Sequence, residues 1–381
     1  MKKLDKNVVI LGWVSFLTDI SSEMLYPIIP IFLTSVLGAS MAIVGFIEGI
    51  AESTASILKI FSGYWSDKIS RRRPFVFAGY GLSSIAKPLL GLSFAWPLAL
   101  FARFIDRFGK GLRTSARDAL IADYTDKEIR GYAFGFHRAM DTAGAVIGPL
   151  LAICFIYFFK ENYRQLFLWA FLPASLGVLL ILKVKEKRPD LPAQAKINIS
   201  FSGMNPQFKK FLIIWCIFCL GNSSDVFLIM RAKAIGLSTI SVILAYALYN
   251  LSYSAFSAPF GRLSDKIGRK KVLNIGLLIF ALVYAGFAFT KNPAHLWGLF
   301  AVYGVFMALT EGTSRALVSD LSRHDMRATS LGAFHALVGI CAFLASAIAG
   351  LLWTKLGPAA ALFYGSCMAG ISFMLFALLG K

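Results

Sequence analysis

The stretch Gly63-Tyr-Trp-Ser-Asp-Lys-Ile-Ser-Arg-Arg-Arg73 is strongly basic and lies between two long apolar runs. Its pattern, G-x-x-S-D-K-I-x-R-[RK]-[RK], returns in the stretch Gly261-Arg-Leu-Ser-Asp-Lys-Ile-Gly-Arg-Lys-Lys271, which is also flanked by apolar runs. The two leading glycines are 198 residues apart, which is about half of the 381-residue chain. A basic loop that recurs at this distance predicts a duplicated membrane unit, with one copy of the loop in each half.

The composition is typical of a helical membrane protein. Hydrophobic residues make up 57% of the chain and charged residues only 15%, whereas charged residues make up about 25% of soluble domains. The 34 phenylalanines and 32 glycines fit this class, because glycine permits close contact between membrane helices. Many apolar runs reach about 18 residues or more, and this excludes a single large soluble core.

The net charge of +19 is concentrated in alternate loops between the apolar runs. The strongly basic loops include residues 68–73, 183–188 and 266–271. The intervening loops hold fewer basic residues, which are Lys160, Arg164, Arg231, Lys233 and the single lysines Lys291 and Lys355. This asymmetry predicts that the strongly basic loops and both termini are cytoplasmic, and it argues against a nucleic-acid partner. No cleavable signal is expected, because the first apolar segment is too long and lacks a small-residue cleavage site.

The apolar runs predict an all-α integral membrane fold without a β-sheet. About 20 helical residues cross a bilayer. The first six crossings form an N-terminal bundle over residues 1–183, and the last six form a C-terminal bundle over residues 208–381, with a cytoplasmic linker over residues 184–207. The duplication predicts a pseudo-twofold axis along the membrane normal and a site between the bundles. The twelve crossings are centred near Asp19, Ala51, Ser84, Lys110, Gly144, Ala174, Gly221, Leu248, Ala281, Met307, Ile340 and Met368.

The repeated stretch resembles a signature of the major facilitator superfamily, G-x-x-x-D-R-x-G-R-R, which lies between helices two and three and recurs weakly between helices eight and nine. Lys68 and Lys266 stand where the family usually has arginine. Ser70 replaces a glycine that the second copy keeps as Gly268. The resemblance covers nearly the whole chain. It implies the twelve-helix fold of these secondary transporters and does not fix the substrate.

Acidic residues inside the first two predicted helices are candidate functional groups, because a charge in the membrane costs several kcal/mol unless it is paired or hydrated. Asp19 and Glu23 are four residues apart and therefore share a helix face. Two such carboxylates tend to hold a proton between them, which favours proton coupling or binding of a cationic group over a purely structural pair. Glu48 and Glu52 repeat the spacing in helix two, where cavity lining and neutralisation of helix four are equally supported.

The fourth predicted helix is rich in cations. Arg107 and Gly111 match the family signature R-x-x-Q-G, with Lys110 in place of glutamine. The resemblance implies that Arg107 takes part in proton transfer, as in proton-coupled members of the family. Lys110 and Arg113 add positive charge, which indicates either an anionic substrate or neutralisation of nearby acids such as Asp19.

The fifth predicted helix contains Gly144-Ala-Val-Ile-Gly148-Pro149, which resembles the antiporter signature G-x-x-x-G-P. The resemblance implies a bend with close helix packing, and it favours export. The usual trailing glycine pair is absent, so the match is partial. Arg138 and Asp141 precede this motif and are further candidates for the coupling site.

Other candidates fall into two groups. Asp225, Glu311 and Arg315 are cavity candidates in the second half, and the last two are spaced so that they can neutralise one another. Asp123 resembles the acid that holds the basic loop in this family, with Asp67 and Arg71 as its expected partners. The predicted cytoplasmic gate therefore consists of Gly63, Asp67, Arg71, Asp123, Gly261, Asp265 and Arg269.

The sequence thus predicts a proton-coupled secondary transporter that exports a small amphipathic molecule across the inner membrane as an antiporter. The alternative is an importer or exchanger of an organic anion or a metal chelate, which the cations of helix four motivate. No nucleotide-binding loop of the type G-x-x-x-x-G-K-[ST] is present, and no enzyme, metal or cofactor motif is recognised. The expected partners are the small-molecule substrate, protons and membrane lipid, and a monomer is expected.

Overall fold

The structure is a computed structural model that describes residues 4–69, 71–126, 129–159, 161–186, 205–322 and 327–379. Within these ranges the chain is almost entirely helical and holds no β-strand, which confirms the predicted fold class. The helices are α1 (Lys6–Leu25), α2 (Ile29–Ile31), α3 (Met41–Ile69), α4 (Arg73–Gly91), α5 (Trp96–Asp123), α6 (Arg130–Phe159), α7 (Tyr163–Ile181), α8 (Pro206–Gly221), α9 (Val226–Ala234), α10 (Thr239–Ile267), α11 (Arg269–Phe289), α12 (Pro293–Leu321), α13 (Arg327–Leu356) and α14 (Pro358–Leu379), and a π-helical segment, Phe32–Val36, follows α2.

Ten helical segments of the described chain are long and apolar enough to span a membrane. They correspond to ten of the twelve predicted crossings, and the other two crossings, centred near Ser84 and Lys110, are α4 and α5. Helix α5 is less apolar because charged residues recur along it from Arg103 to Asp123. Helix α5 therefore combines a weak membrane signal with the longest series of charges, whereas α4 contains only Arg73 and Lys87.

The chain divides into two compact units. One unit comprises residues 1–38 and 54–197, and the other comprises residues 39–53 and 198–381. The first half of α3 thus belongs to the second unit. The predicted bundle boundaries stay a prediction, and most of the predicted linker, residues 187–204, lies outside the described residues.

In the first unit, α1 packs against α6 and α7, and α4 packs against α5 and α7. Glycines allow the closest of these approaches. A Cβ atom at Gly144 would lie 2.6 Å from the carbonyl oxygen of Phe16, and one at Gly148 would lie 2.7 Å from the carbonyl oxygen of Ile20. The glycine motif of the fifth predicted helix therefore serves to bring α6 against the backbone of α1.

Replacing Gly148 with Val should destabilise the first unit by about 3 kcal/mol, because the backbone of α1 cannot move aside as a flexible side chain would. The matched control is Gly135→Val on the same helix, since nothing lies within 4 Å of a Cβ built there. Thermal unfolding of the purified variants in detergent measures the difference. Equal unfolding temperatures for the two variants would contradict this account of the packing.

In the second unit, the seventh predicted crossing is interrupted. Helix α8 ends at Gly221 and α9 begins at Val226, so the segment Ser223-Ser-Asp225 is not helical. Irregular backbone at membrane depth is tolerated only where its polar groups find partners inside the protein. Here the Ser224 N–H donates to Ser346 Oγ at 3.2 Å, and the Tyr284 hydroxyl donates to the Ser223 carbonyl at 3.4 Å. A similar stretch in the first half, Ser21-Ser-Glu23, lies within α1 and is helical.

Candidate functional site

A polar cavity lies inside the first unit, where α1 faces α4 and α5. Its volume is about 50 Å³, which is room for a few water molecules at about 10–15 Å³ each. The charged residues that line it comprise three carboxylates and five cations: Asp19, Glu23, Asp106, Lys87, Arg103, Arg107, Lys110 and Arg113. If all are ionised, the cations outnumber the acids.

Five of the residues proposed from the sequence line this cavity, and Arg113 of α5 is one of them. Asp19 and Glu23 come from α1, whereas Arg107 and Lys110 come from α5. Arg107 is buried, with only 6% of its surface exposed. The spacing of four residues, which puts Asp19 and Glu23 on one helix face, therefore directs both carboxylates toward the same cations.

Asp106 is the centre of the ion pairs at the α4–α5 wall. Its Oδ1 atom lies 3.4 Å from Lys87 Nζ, and its Oδ2 atom lies 3.6 Å from Arg103 Nη1. Lys87 also donates to the Ser83 carbonyl at 3.0 Å. Both cations are almost fully buried. One carboxylate thus accompanies two cations in a region where water is scarce, and such an arrangement is stable only while every member is present.

Arg113 completes this wall. Its Nη1 atom donates to Ser83 Oγ at 2.9 Å, and its guanidinium lies 4.2 Å from the centroid of the Tyr80 ring. The Ser83 hydroxyl in turn donates to the Asp106 carbonyl at 2.9 Å. The cation–π contact and the hydrogen bonds fix the guanidinium without a carboxylate partner among these contacts, so Arg113 contributes positive charge to the cavity.

Lys87 is a cavity residue that the sequence analysis missed. It is a lone lysine inside a segment that was assigned only by its apolar character. A charge inside a predicted membrane helix is itself the signal that would have identified it. Asp106 and Arg103 were also not proposed, although they lie in the charged stretch of α5.

The glycines of α6 support the two α1 carboxylates from behind. A Cβ atom at Gly144 would lie 2.9 Å from Asp19 Cβ, and one at Gly148 would lie 3.0 Å from Glu23 Cβ. Any larger residue at either position would displace the acid that it touches. Pro149 follows within the same uninterrupted helix, and the predicted bend there stays a prediction.

Asp141 belongs to a second polar cluster between α1 and α6, and it is not among the residues that line the cavity. It accepts a short hydrogen bond from the Ser15 hydroxyl. His137 Nδ1 lies 3.7 Å and Arg138 Nη1 lies 3.9 Å from Asp141 Oδ2. The Arg138 side chain is 65% exposed, so this ion pair is weak. His137 and Asp141 are four residues apart on α6, and the 3.7 Å between them is longer than a hydrogen bond.

The remaining cavity candidates lie in the second unit and do not line this cavity. Glu48 and Glu52 are in the half of α3 that groups with residues 198–381, and Glu48 is fully buried. The Tyr303 hydroxyl donates to Asp225 Oδ1 at 2.7 Å. The expected pairing of Glu311 with Arg315 is present as a salt bridge.

The ion pairs of the predicted gate residues differ between the two halves, and the gate itself stays a prediction. In the second half Arg269 pairs with Asp320 and with Asp265, the latter at 3.1 Å. In the first half Arg72 Nη1, not Arg71, lies 2.7 Å from Asp123 Oδ2. Asp67 is the other expected partner of Asp123, and its side chain lies outside the described part of the structure.

The two gate glycines also differ. A Cβ atom at Gly63 would lie 3.4 Å from Ser115 Cβ on α5, whereas nothing lies within 4 Å of one at Gly261. The repeated sequence pattern is therefore not accompanied by identical packing, because Gly63 lies against α5 whereas Gly261 faces open space.

Comparison with known proteins gives matches over almost the full length. The profile of the Major Facilitator Superfamily matches residues 11–238 and 211–381. The uncharacterized MFS-type transporter MJ1317 of Methanocaldococcus jannaschii is 42% identical over 380 residues, which cover 98% of this chain and 95% of that protein.

Two other matches are more distant. The multi-drug resistance efflux pump PmrA of Streptococcus pneumoniae is 25% identical over 306 residues, which cover 76% of this chain and 75% of the pump. Among solved structures, a mutant of the nucleoside transporter NupG superposes with a TM-score of 0.79 at 17% identity, over 99% of this chain and 100% of that chain. At this identity the structural likeness shows the fold.

Proposed function

The chain belongs to the major facilitator superfamily, and we propose that it is a proton-coupled member that exports a small amphipathic molecule in exchange for protons. Membership of this superfamily makes the protein a multi-pass membrane transporter of small molecules and not an enzyme. The observation that carries the coupling proposal is the position of Asp19 and Glu23 on the wall of a cation-rich cavity.

Proton coupling requires a group whose protonation changes how the site binds its substrate. Protonation of Asp19 or Glu23 removes one negative charge from a lining in which cations already outnumber acids. In a confined site with few waters, such a change alters the binding of a charged ligand strongly. A cationic amphipathic molecule and a proton would therefore exclude one another, and this exclusion is the requirement for antiport.

Two observations support export as the direction. The glycine-proline pattern Gly144-Ala-Val-Ile-Gly148-Pro149 resembles the antiporter signature, and it packs against Asp19 and Glu23. A relative that matches 76% of this chain is named a multi-drug resistance efflux pump. The proposal extends to a monomer in the inner membrane. It also places both termini in the cytoplasm, and the charges of alternate loops support this orientation.

A second candidate function is uptake or exchange of an organic anion, and the excess of cations in the cavity favours it. Arg113 and Lys110 add positive charge beyond what Asp19, Glu23 and Asp106 offset. A proton on Asp19 would then strengthen anion binding, because it removes a repelling charge. Proton and anion would move together, in contrast to the exclusion that antiport requires.

Reconstituted liposomes with a trapped pH-sensitive dye separate the two candidates. The purified full-length protein is given an imposed pH gradient and is challenged first with a pool of lipophilic cations and then with a pool of organic acids. Proton efflux driven only by the cations supports the antiport proposal. Proton movement in the same direction as an organic acid supports the second candidate. Absence of proton movement with both pools, from folded protein, would contradict proton coupling.

A further inference from the structure

A groove lies in the first unit where α4 begins and the chain leaves α7. Its volume is about 720 Å³. It is at the end of these helices that carries the basic loops, which is where a membrane helix meets the headgroups of the bilayer. Two arginines, three apolar residues and one glutamate line it: Arg71, Arg73, Pro74, Phe77, Leu182 and Glu186.

The two arginines supply positive charge at the rim of the groove. Arg71 is exposed, and no ion pair involves it among the described residues. The Arg73 guanidinium is held in place, because its Nη2 atom donates to the Leu182 carbonyl at 2.8 Å. Arg72, which lies between them, pairs with Asp123. The basic triplet is therefore divided, with its middle member neutralised and its outer members at the groove.

Glu186 offsets one of the two positive charges and leaves the groove with a net charge of +1, and its carboxylate is bound at the start of α4. It accepts hydrogen bonds from the backbone N–H groups of Arg72 at 2.8 Å and of Arg73 at 3.0 Å. These are among the N–H groups that a helix leaves without intrahelical partners, and an acid there also offsets the helix dipole. Both carboxylate oxygens of Glu186 are therefore directed toward the backbone of α4.

The inner part of the groove is apolar. Phe77 is 39% exposed and Leu182 is 52% exposed. Phe77 follows Arg73 by four residues, so it lies about 6 Å farther along α4, toward the hydrocarbon of the membrane. The groove therefore offers guanidinium groups at headgroup level and an aromatic ring at the level of the first acyl carbons.

We propose that this groove binds one anionic phospholipid, with the phosphate at Arg71 and Arg73 and an acyl chain against Phe77 and Leu182. Arginine forms charge-assisted hydrogen bonds with phosphate oxygens, and basic side chains beside a membrane helix attract anionic headgroups. A free phosphate would use the arginines alone and would leave the apolar wall uncovered. The combination of charge and apolar surface selects a lipid.

The test is native mass spectrometry of the full-length protein in detergent, titrated with phosphatidylglycerol or with phosphatidylcholine of identical acyl chains. Phosphatidylglycerol should bind more tightly. Arg71→Gln should weaken its binding about fivefold, which corresponds to the loss of one basic contact near a membrane surface. Phe77→Ser should also weaken it, because the acyl chain loses its apolar wall.

The matched control is Lys271→Gln, which removes one exposed charge from the equivalent basic loop of the second half. Unchanged binding in this variant supports a specific groove, whereas an equal loss would overturn the proposal in favour of general attraction to the basic loops. Equal binding of the two lipids would overturn it as well. Displacement of the lipid by inorganic phosphate, together with no effect of Phe77→Ser, would replace it with a simple anion site.

Discussion

Replacing Asp19 with Asn, or Glu23 with Gln, is expected to reduce substrate-driven proton movement on the order of 100-fold in reconstituted liposomes, since a positioned proton-transfer group contributes about that factor or more. Each substitution keeps the shape of the side chain and removes its ability to release a proton. Both acids line the cavity that also contains Arg107 and Lys110, so each affects the charge that a substrate meets. Dye-loaded liposomes measure the proton movement, and substrate binding is measured separately.

The fold of both variants should be retained, because neither change adds volume beside Gly144 or Gly148. A matched control is Glu161→Gln, which removes a carboxylate from the loop between α6 and α7, away from the cavity. That variant should keep proton movement. Full proton-linked transport by both Asp19→Asn and Glu23→Gln would refute the assignment of coupling to α1.

The parts of the fold that follow from local pattern were predictable. Apolar runs identify membrane helices because their length and composition are local properties, and the recurrence of the stretch from Gly63 at Gly261 reveals the duplication. The spacing of Asp19 and Glu23 fixes their common face for the same reason, since it depends only on helical geometry. The structure places both on the cavity wall.

Features that depend on contacts between helices were not predictable. Lys87 and Asp106 form a pair only because α4 packs against α5, and neither helix signals this partner by itself. Glu48 and Glu52 have the same spacing as the α1 acids, yet their half of α3 belongs to the second unit. Similar local patterns therefore have different surroundings, and the surroundings decide which acids share a site.

The arginine that pairs with Asp123 depends on the residue at which α4 begins. Helix α4 begins at Arg73, and Arg72 is its N-cap residue. Successive helical residues differ by about 100° in direction, so a shift of one position decides which arginine faces Asp123. In the repeated pattern Arg71 occupies the position of Arg269, which pairs with Asp320. The residue that pairs with Asp123 in the first half is nevertheless Arg72. A sequence match does not define the end of a helix to this accuracy.

Asp106→Asn is expected to cost about 3–5 kcal/mol of the free energy of unfolding, because it leaves Lys87 and Arg103 buried without their shared carboxylate. Asparagine keeps the size of the side chain, so the loss reports charge and not a cavity. Transport should fall as well, since both cations line the cavity. Unfolding by titration of mixed micelles with sodium dodecyl sulfate measures the cost.

A double-mutant cycle separates this ion pairing from a general loss of packing. In a Lys87→Met background one of the two buried cations is already absent, so Asp106→Asn should cost less there, by at least about 1 kcal/mol. The reduction is expected because removal of both members of a buried pair avoids the uncompensated charge that removal of one creates. An equal cost of Asp106→Asn in both backgrounds would show that Lys87 and Asp106 do not interact. The stability of the α4–α5 wall would then depend on Arg103, whose Nη1 atom lies 3.6 Å from the same carboxylate.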